Sequence, residues 1–474
     1  MKKARRIGDD IKTLSTLEKV LWIGTILLTA LLFVSHNYND LLITTRQGID
    51  LWKIILNGDY IRFYELNRTP SGNDVYQVVQ GCAYSFLVYL TVAVWNIPIA
   101  ILERISDVDV MNNRICLCYE KGIILFGVII TAVLIKKLLE DFGVGKKESN
   151  IAMLLYFSSA ELMSSCYISS QIDILAMIFM LLGFRSYLRK KEAAFVAWFA
   201  VAFCFKFFSV IPFVPLLLLS TKNIWKMIRN GAASISLWAV IMIPFYINST
   251  KNPILERRLA SKLFSYDQNI FLWFIVIYCL ILVYAYVSRD SDGEKAPRKA
   301  LWLLCVSFTS LFAFGYSNPY WSVLMVAFWI MLMAVNKRNL LVNLALEAVG
   351  TAAYVLSKII IIPECYIGKY QLPSLTPWNT MKPMLWGSIL PDSRFRFENP
   401  IYDAIRALHE TTAPRLLHSV FIAAFIAFAF INFPRDKEIK TPNDSGNINT
   451  MLVLRFVSVA AVCLIPIASL FIRY

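Results

Sequence analysis

Long apolar stretches separated by short polar loops form the dominant pattern of this chain. A hydrocarbon core of about 30 Å requires roughly 20 apolar residues in a helix. Stretches such as 20–34, 122–135 and 271–287 approach or reach that length, and others follow in turn. The pattern predicts an all-α, polytopic transmembrane helical protein with about 12–13 membrane segments.

Composition supports this class and narrows the partners. The chain is 58% hydrophobic and only 17% charged, whereas soluble domains are about one quarter charged. Its net charge of +15 lies in short basic clusters beside the apolar stretches, a positive-inside pattern rather than a continuous basic face. Membrane lipid is therefore a predicted partner and nucleic acid is not. The nine cysteines lie mostly inside apolar stretches, which indicates small buried side chains rather than a disulfide framework.

The basic clusters also predict an orientation. Residues 1–18 form a basic amphipathic segment that we place in the cytoplasm, followed by an uncleaved first helix. The later clusters lie at 136–147, 189–191, 222–229, 289–299, 337–338 and 435–440. All face the cytoplasm only if 82–102 does not make a simple crossing and if 193–219 makes two crossings, with a reversal near Lys206. Pro212 and Pro215, which follow Lys206, favour that reversal.

Polar residues then collect on the outer face. That face receives 36–80, 169–173, the Lys206 reversal, 249–268, 316–321 and 363–414. The acidic and amide groups there contrast with cytoplasmic loops that carry mainly basic anchors. The working site is therefore expected to face outward.

The first outer loop offers a candidate base. Asp40 follows the first predicted crossing, where partial desolvation can raise the pKa of a carboxyl and suit it to proton transfer. The alternative is an ordinary helix-end charge in the headgroup zone. Residues 49–63 predict an amphipathic helix on the membrane, with Asp50, Asp59 and Glu65 on its solvated face.

Five further polar residues stand within or beside the predicted membrane segments. Lys206 interrupts an apolar stretch, where a cation costs about 3 kcal/mol and needs a carboxylate or a lipid phosphate as its partner. Asp173 is either a dipole-favoured acid in the first turn of a helix or, with Gln171, a ligand for sugar hydroxyls. The turn containing Asn318 and Tyr320 is either part of an aromatic belt or part of the site. No phosphate-binding Gly-rich loop and no zinc-type His or Cys spacing is present, which disfavours a nucleotide-driven enzyme.

The chain resembles the GT-C superfamily of integral-membrane glycosyltransferases, in particular the bacterial polyprenyl-phosphate-dependent mannosyltransferases. The likeness spans roughly the first 340 residues. The motifs that carry it are Asn-Asp-Leu-Leu-Ile-Thr-Thr containing Asp40, Ser-Gln-Ile-Asp-Ile from Ser170, the Phe-Lys-Phe break at Lys206, and Ser-Asn-Pro-Tyr-Trp from Ser317. Relatives often have Gly-Gln-Tyr-Asp where this chain has Ser-Gln-Ile-Asp, and a Pro-Gln-Tyr or Pro-Gln-Trp turn where it has Asn-Pro-Tyr-Trp.

The resemblance implies an inverting transfer of a hexose, for instance mannose, from a polyprenyl-phosphate sugar to a cell-envelope glycan or glycolipid acceptor. It implies Asp40 as the base, Lys206 or more weakly Arg46 at the lipid phosphate, and Gln171, Asp173, Asn318 and Tyr320 at the substrates. No metal or other cofactor is expected, and the location implied is a bacterial plasma membrane.

The organisation expected is a catalytic region at 19–362, an outer loop at 363–413 that shapes acceptor entry, and C-terminal transmembrane helices at 414–474. Two other functions fit the same pattern. Many crossings and Pro-broken helices also suit a transporter or flippase of lipid-linked sugars, although no repeat relates the two halves. A catalytically inactive scaffold on the same fold is the third alternative.

Overall fold

The computed structural model describes residues 14–66, 84–111, 113–248, 272–288, 295–315, 318–367, 371–373, 400–435 and 445–469. Helices make up nearly all of these ranges. They are α1 (Thr16–Ser35), α2 (Asn39–Leu56), α3 (Phe63–Leu66), α4 (Phe86–Trp95), α5 (Ile97–Ile105), α6 (Arg114–Asp141), α7 (Lys146–Phe157), α8 (Ala160–Leu162), α9 (Ile174–Leu188), α10 (Glu192–Phe205), α11 (Val210–Ser220), α12 (Ile224–Asn248), α13 (Trp273–Val287), α14 (Lys295–Phe314), α15 (Val323–Val335), α16 (Leu340–Ile361), α17 (Pro400–His409), α18 (Ala413–Ile431) and α19 (Ser445–Ser469).

The predicted helical class is confirmed, with one small exception. Strands β1 (His36–Tyr38) and β2 (Gln371–Pro373) pair in antiparallel register, with His36 opposite Pro373 and Tyr38 opposite Gln371. This pairing joins the chain just after α1 to the chain that follows α16. It therefore brings part of the predicted outer loop 363–413 next to the first outer loop.

The number of membrane segments is only partly supported. Within the described ranges, six helices are long and apolar enough to cross a membrane, and two bent pairs raise the number to as many as eight. Five further apolar helices have 10–17 residues, which is shorter than the roughly 20 residues that a simple crossing needs. The predicted 12–13 segments are reached only if these shorter helices also cross. Residues 67–80 of the predicted outer segment 36–80, and all of the segment 249–268, lie outside the described residues.

The reversal predicted at Lys206 is confirmed. α10 ends at Phe205, Lys206 is extended, and α11 begins after one 3₁₀ turn. The ring of Phe213 lies 5.1 Å from that of Phe199 and 5.2 Å from that of Phe195. Because residues on either side of Lys206 face one another, α10 and α11 form a hairpin.

The segment 84–105 is sharply bent, as expected for 82–102. α4 and α5 meet at an angle of 61°. At its start the Ser85 hydroxyl donates to the carbonyl of Cys204, two residues before Lys206. At the bend the Trp95 indole donates to the carbonyl of Tyr119, near the start of α6, at 3.0 Å. Both contacts lie near the same end of the helical bundle, so this segment does not run through to the other end.

The opposite end of the bundle holds most of the described basic clusters. Arg185 and Arg189 at the end of α9 pair with Asp141 at the end of α6. Lys337, after α15, pairs with Glu148 in the first turn of α7 at 3.0 Å. Residues from the segments 136–147, 189–191 and 337–338 therefore share one end, as the charge pattern predicted.

Candidate functional site

Asp40 lies at the junction between β1 and α2. It stands in the first turn of α2, so the partial positive charge of that helix terminus favours its carboxylate. The amide of Gln171 lies 3.4 Å from its Oδ2, and the Tyr320 hydroxyl acts on the same carboxyl as a hydrogen-bond donor. Asp40 thus lies in the first turn of an amphipathic helix surrounded by other chain segments, rather than at the end of α1.

The environment of Asp40 perturbs its proton affinity. Burial raises the pKa of this carboxyl above its usual range, because a partly dry site disfavours the charged form. The hydrogen bonds from Gln171 and Tyr320 and the charge of Lys206 oppose that rise, while the charge of Asp173 adds to it. A carboxyl with a raised pKa is suited to accepting a proton near neutral pH.

Gln171 belongs to an irregular segment that precedes α9. A π-helical turn at Met163–Ile168 leads into Ser170, which has a φ of 48°, a conformation that is uncommon for non-glycine residues. The Gln171 amide donates to the carbonyl of Ser169 at 3.2 Å. The Gln171 Oε1 and the Ser170 hydroxyl are both buried and have no hydrogen-bond partner among the described residues. Such atoms are usually satisfied by water or by a ligand.

Asp173 and Lys206 form a buried ion pair next to Asp40. The Lys206 Nζ lies 3.0 Å from Oδ1 and 2.8 Å from Oδ2 of Asp173. The Asp173 side chain is 1% exposed and that of Lys206 is 10% exposed. The two alternatives for Lys206, a carboxylate or a phosphate partner, are compatible, because an ammonium has three donors and the carboxylate occupies one side of it.

Aromatic rings enclose the Lys206 ammonium. Its Nζ lies 4.6 Å from the ring centroid of Trp321, 5.5 Å from that of Tyr84 and 5.7 Å from that of Phe208. Rings at these distances stabilise the cation and exclude water from around it. Lys206 is therefore a preorganised cation that is largely shielded from solvent.

Asn318 and Tyr320 also reach this site. The Asn318 amide donates to the Tyr320 hydroxyl at 2.9 Å, and Tyr320 in turn meets Asp40. Tyr320 is buried, so membership in an exposed aromatic belt does not describe it. We call Asp40, Gln171, Asp173, Lys206 and Tyr320 the site cluster. Four separate chain segments, each at a helix end, come together to build it.

Arg46 has other partners. It lies six residues after Asp40 on α2, and its guanidinium donates to both carboxylate oxygens of Asp50, at 2.7 and 3.1 Å, and to Glu103. Asp50 was predicted to lie on a solvated face, whereas the structure pairs it with Arg46. A role for Arg46 at a lipid phosphate stays a prediction, and it requires competition with these two carboxylates.

Sequence reasoning missed Lys121, the residue that ties the site segments together. This lysine is fully buried on α6, and its ammonium donates to the carbonyls of Phe33 at 3.0 Å, His36 at 2.6 Å and Tyr167. His36 precedes Asp40 by four residues and Tyr167 precedes Gln171 by four. The sequence signal for Lys121 was its position inside an apolar stretch. Tyr84 follows a polar loop, and no sequence pattern indicated that it lies at the site.

Comparison with known proteins assigns no family. No protein-family model matches this chain, and no curated protein matches it. The functional argument therefore rests on the chemistry of the site cluster.

Proposed function

We propose that this protein is an integral-membrane glycosyltransferase that moves a hexose from a polyprenyl-phosphate sugar to a hydroxyl of an envelope glycan or glycolipid. The observation that carries the proposal is the adjacency of Asp40, a half-buried carboxyl with a raised pKa, to the buried Lys206 cation. A base for the incoming hydroxyl and a cation for a departing phosphate are the two groups that such a transfer needs.

The reaction proceeds in one displacement. Asp40 takes the proton of the acceptor hydroxyl as that oxygen attacks the anomeric carbon. The bond between the anomeric carbon and the phosphate oxygen breaks on the opposite face, so the configuration inverts and polyprenyl phosphate leaves. Lys206 stabilises the charge that develops on the phosphate, and this stabilisation is strong because the aromatic rings keep the ammonium largely dry.

Hydroxyl recognition falls to the irregular segment before α9. The Gln171 Oε1 can accept a hydrogen bond from a sugar hydroxyl, and the Ser170 hydroxyl can donate or accept one. Both atoms lack a hydrogen-bond partner among the described residues. They can therefore bind a sugar without losing a hydrogen bond to the protein. We propose the polyprenyl-phosphate sugar as the donor substrate at this site, and we propose no metal for transfer of the hexose.

We propose that the site cluster faces outward from a bacterial plasma membrane. Positive-inside placement of the end that holds the Arg185, Arg189 and Lys337 pairs puts the site cluster on the other side. Single cysteines at Asp107 and at Glu140, both exposed, test this in a background without native cysteines. An impermeant thiol reagent added to intact cells is expected to label position 107 and not 140, and the reverse result would overturn the orientation.

Transfer itself is tested with the purified protein in lipid. We expect it to move radiolabelled mannose or glucose from polyprenyl phosphate to membrane acceptors, with and without a chelator. Asp40→Asn removes the base and is expected to lower the rate about 10²–10⁴-fold. Asp50→Asn is the matched control, because it makes the same substitution on the same helix at a residue paired with Arg46.

The outcomes separate the alternatives. An equal loss in Asp40→Asn and Asp50→Asn would mean that α2 is damaged rather than that a base is missing. If neither donor is consumed, the next assay is flipping of lipid-linked sugars in proteoliposomes. Flipping that depends on Lys206 but not on Asp40 would favour the transporter, and no activity in either assay would favour the scaffold.

A further inference from the structure

A second buried charged cluster, which shares no residue with the site cluster, lies at the break between α7 and α8. Its centre is Arg455 of α19, whose side chain is 2% exposed. The guanidinium donates to both carboxylate oxygens of Glu347 on α16, one of them at 2.7 Å. It also donates to the Ser158 hydroxyl at 2.7 Å and to the carbonyl of Leu155 at 2.9 Å. One carboxylate and the end of α7 therefore satisfy this cation.

Glu161 adds a second acid to the same place. It lies on α8, is 1% exposed, and accepts a hydrogen bond on Oε2 from the Ser159 hydroxyl at 2.9 Å. Its Oε1 is buried and has no hydrogen-bond partner among the described residues. The charges of Glu347 and Arg455 both act on it. Two carboxyl groups thus lie within the influence of one guanidinium, and that guanidinium forms its ion pair with Glu347.

Among the described residues, Arg455 is the cation whose charge acts on Glu161. Among the described residues packed against α8, Glu347 and Arg455 are the charged groups that act on it, and Tyr366 is a neutral titratable neighbour. α15, which also contacts α8, has no titratable side chain. An ionised Glu161 would leave an uncompensated negative charge inside the helical bundle, and such charges are costly.

We propose that Glu161 is a buried proton-binding site, with the proton on Oε1, distinct from the site cluster. A proton neutralises the surplus acid without adding a charge. A metal cation is disfavoured because it would lie beside the Arg455 guanidinium and would need several oxygen ligands. Ser159 keeps Oε2 as an acceptor, so Oε1 is the atom that takes the proton. The site sits where α7 and α8 meet at 42°, on the segment that leads towards Gln171.

Infrared spectroscopy of the purified full-length protein in lipid nanodiscs tests this directly. At neutral pH we expect the wild-type spectrum to contain a protonated-carboxyl component that Glu161→Gln removes. Glu148→Gln is the matched control, because Glu148 is part-exposed and paired with Lys337, and it is expected to leave that component unchanged. Glu347→Gln is expected to remove the component as well, because Arg455 then has only Glu161 to pair with.

Several results would overturn the proposal. Identical protonated-carboxyl bands in the wild type and Glu161→Gln would mean that Glu161 is ionised. Loss of the component on adding sodium or potassium at fixed pH would mean that the site takes a metal cation. Glutamine reproduces the shape of a neutral glutamic acid, so Glu161→Gln is expected to stay folded. If it does not, Glu347→Gln provides the same spectral test, and neither measurement depends on sugar transfer.

Discussion

Ion pairs at the two ends of the helical bundle have nearly the same length but very different surroundings. The Lys206 Nζ lies 2.8 Å from Asp173, and the Lys337 Nζ lies 3.0 Å from Glu148. The first pair is 10% and 1% exposed, and the second is 48% and 38% exposed. Contact distance therefore does not distinguish the two ends. Access to water does, because water screens the exposed pair and not the buried one.

The largest expected effect comes from breaking the buried pair. Lys206→Met leaves the carboxylate of Asp173 buried without its cation, and it is expected to lower the free energy of unfolding by about 3–5 kcal/mol. Sugar transfer is expected to fall as well. Thermal or detergent-induced unfolding of the purified variant measures the loss of stability.

A double variant shows whether charge is the cause. Lys206→Met combined with Asp173→Asn leaves no unpaired charge, so it is expected to recover most of the lost stability while transfer stays low. A double variant as unstable as Lys206→Met would indicate that packing against Trp321 and Tyr84, rather than the uncompensated carboxylate, explains the loss.

The next largest loss of stability is expected at Lys121. It is buried like Lys206, but its described hydrogen-bond partners are backbone carbonyls. Lys121→Met leaves the carbonyls of Phe33, His36 and Tyr167 without this donor and is expected to cost about 2 kcal/mol. We also expect the pH profile of transfer to shift, because Asp40 and Gln171 follow these carbonyls. Lys121→Arg keeps a cation and should preserve more of both properties. If Lys121→Met is destabilised but its pH profile of transfer is unchanged, the role of Lys121 is purely structural.

The prediction from sequence agrees best with the structure where a single residue departs clearly from its surroundings. Lys206 stands between Phe205 and Phe207, so its insertion cost and the following prolines predicted both a partner and a reversal. The alternation of basic clusters predicted that Gln171, Lys206 and Asn318 share one end. The Asp173 partner was left open, because Asp173 and Lys206 are 33 positions apart and become neighbours only when α9 and α10 pack side by side.

Other contacts depend on short-range spacing along a helix or on how distant segments pack. Arg46 and Asp50 are four residues apart on one helix, the spacing of a local ion pair, so their pairing was available from sequence alone. The pairing of Glu347 with Arg455 joins residues 108 positions apart, and no local pattern specifies it. The same holds for Tyr84, whose place near Lys206 depends on how the bent α4–α5 segment packs.

Asp40 is expected to show a smaller effect of opposite sign. Burial raises the pKa of its carboxyl in the folded protein, so its contribution to stability is present below the unfolded-state pKa and is lost as pH rises through the folded-state pKa. At neutral pH, Asp40→Asn is therefore expected to stabilise the protein by about 1 kcal/mol, as removal of functional strain often does. Unfolding measured from acidic to neutral pH should show less decline in the variant. A destabilised Asp40→Asn at neutral pH would contradict this.

The smallest effect is expected at the exposed end, where Lys337→Met breaks the pair with Glu148. Because water and salt solvate the carboxylate that remains, we expect a loss of only about 0.5 kcal/mol, shrinking further at high salt. Unfolding of Lys337→Met and Lys206→Met side by side, at low and high salt, measures the contrast.

The loss in Lys206→Met should be nearly independent of salt, since its charges are shielded from solvent. Equal losses in the two variants, or equal salt dependence, would mean that the Asp173–Lys206 pair is as accessible to water as Glu148 and Lys337. The site cluster would then lack the dry environment on which both its proposed base and its proposed phosphate contact depend.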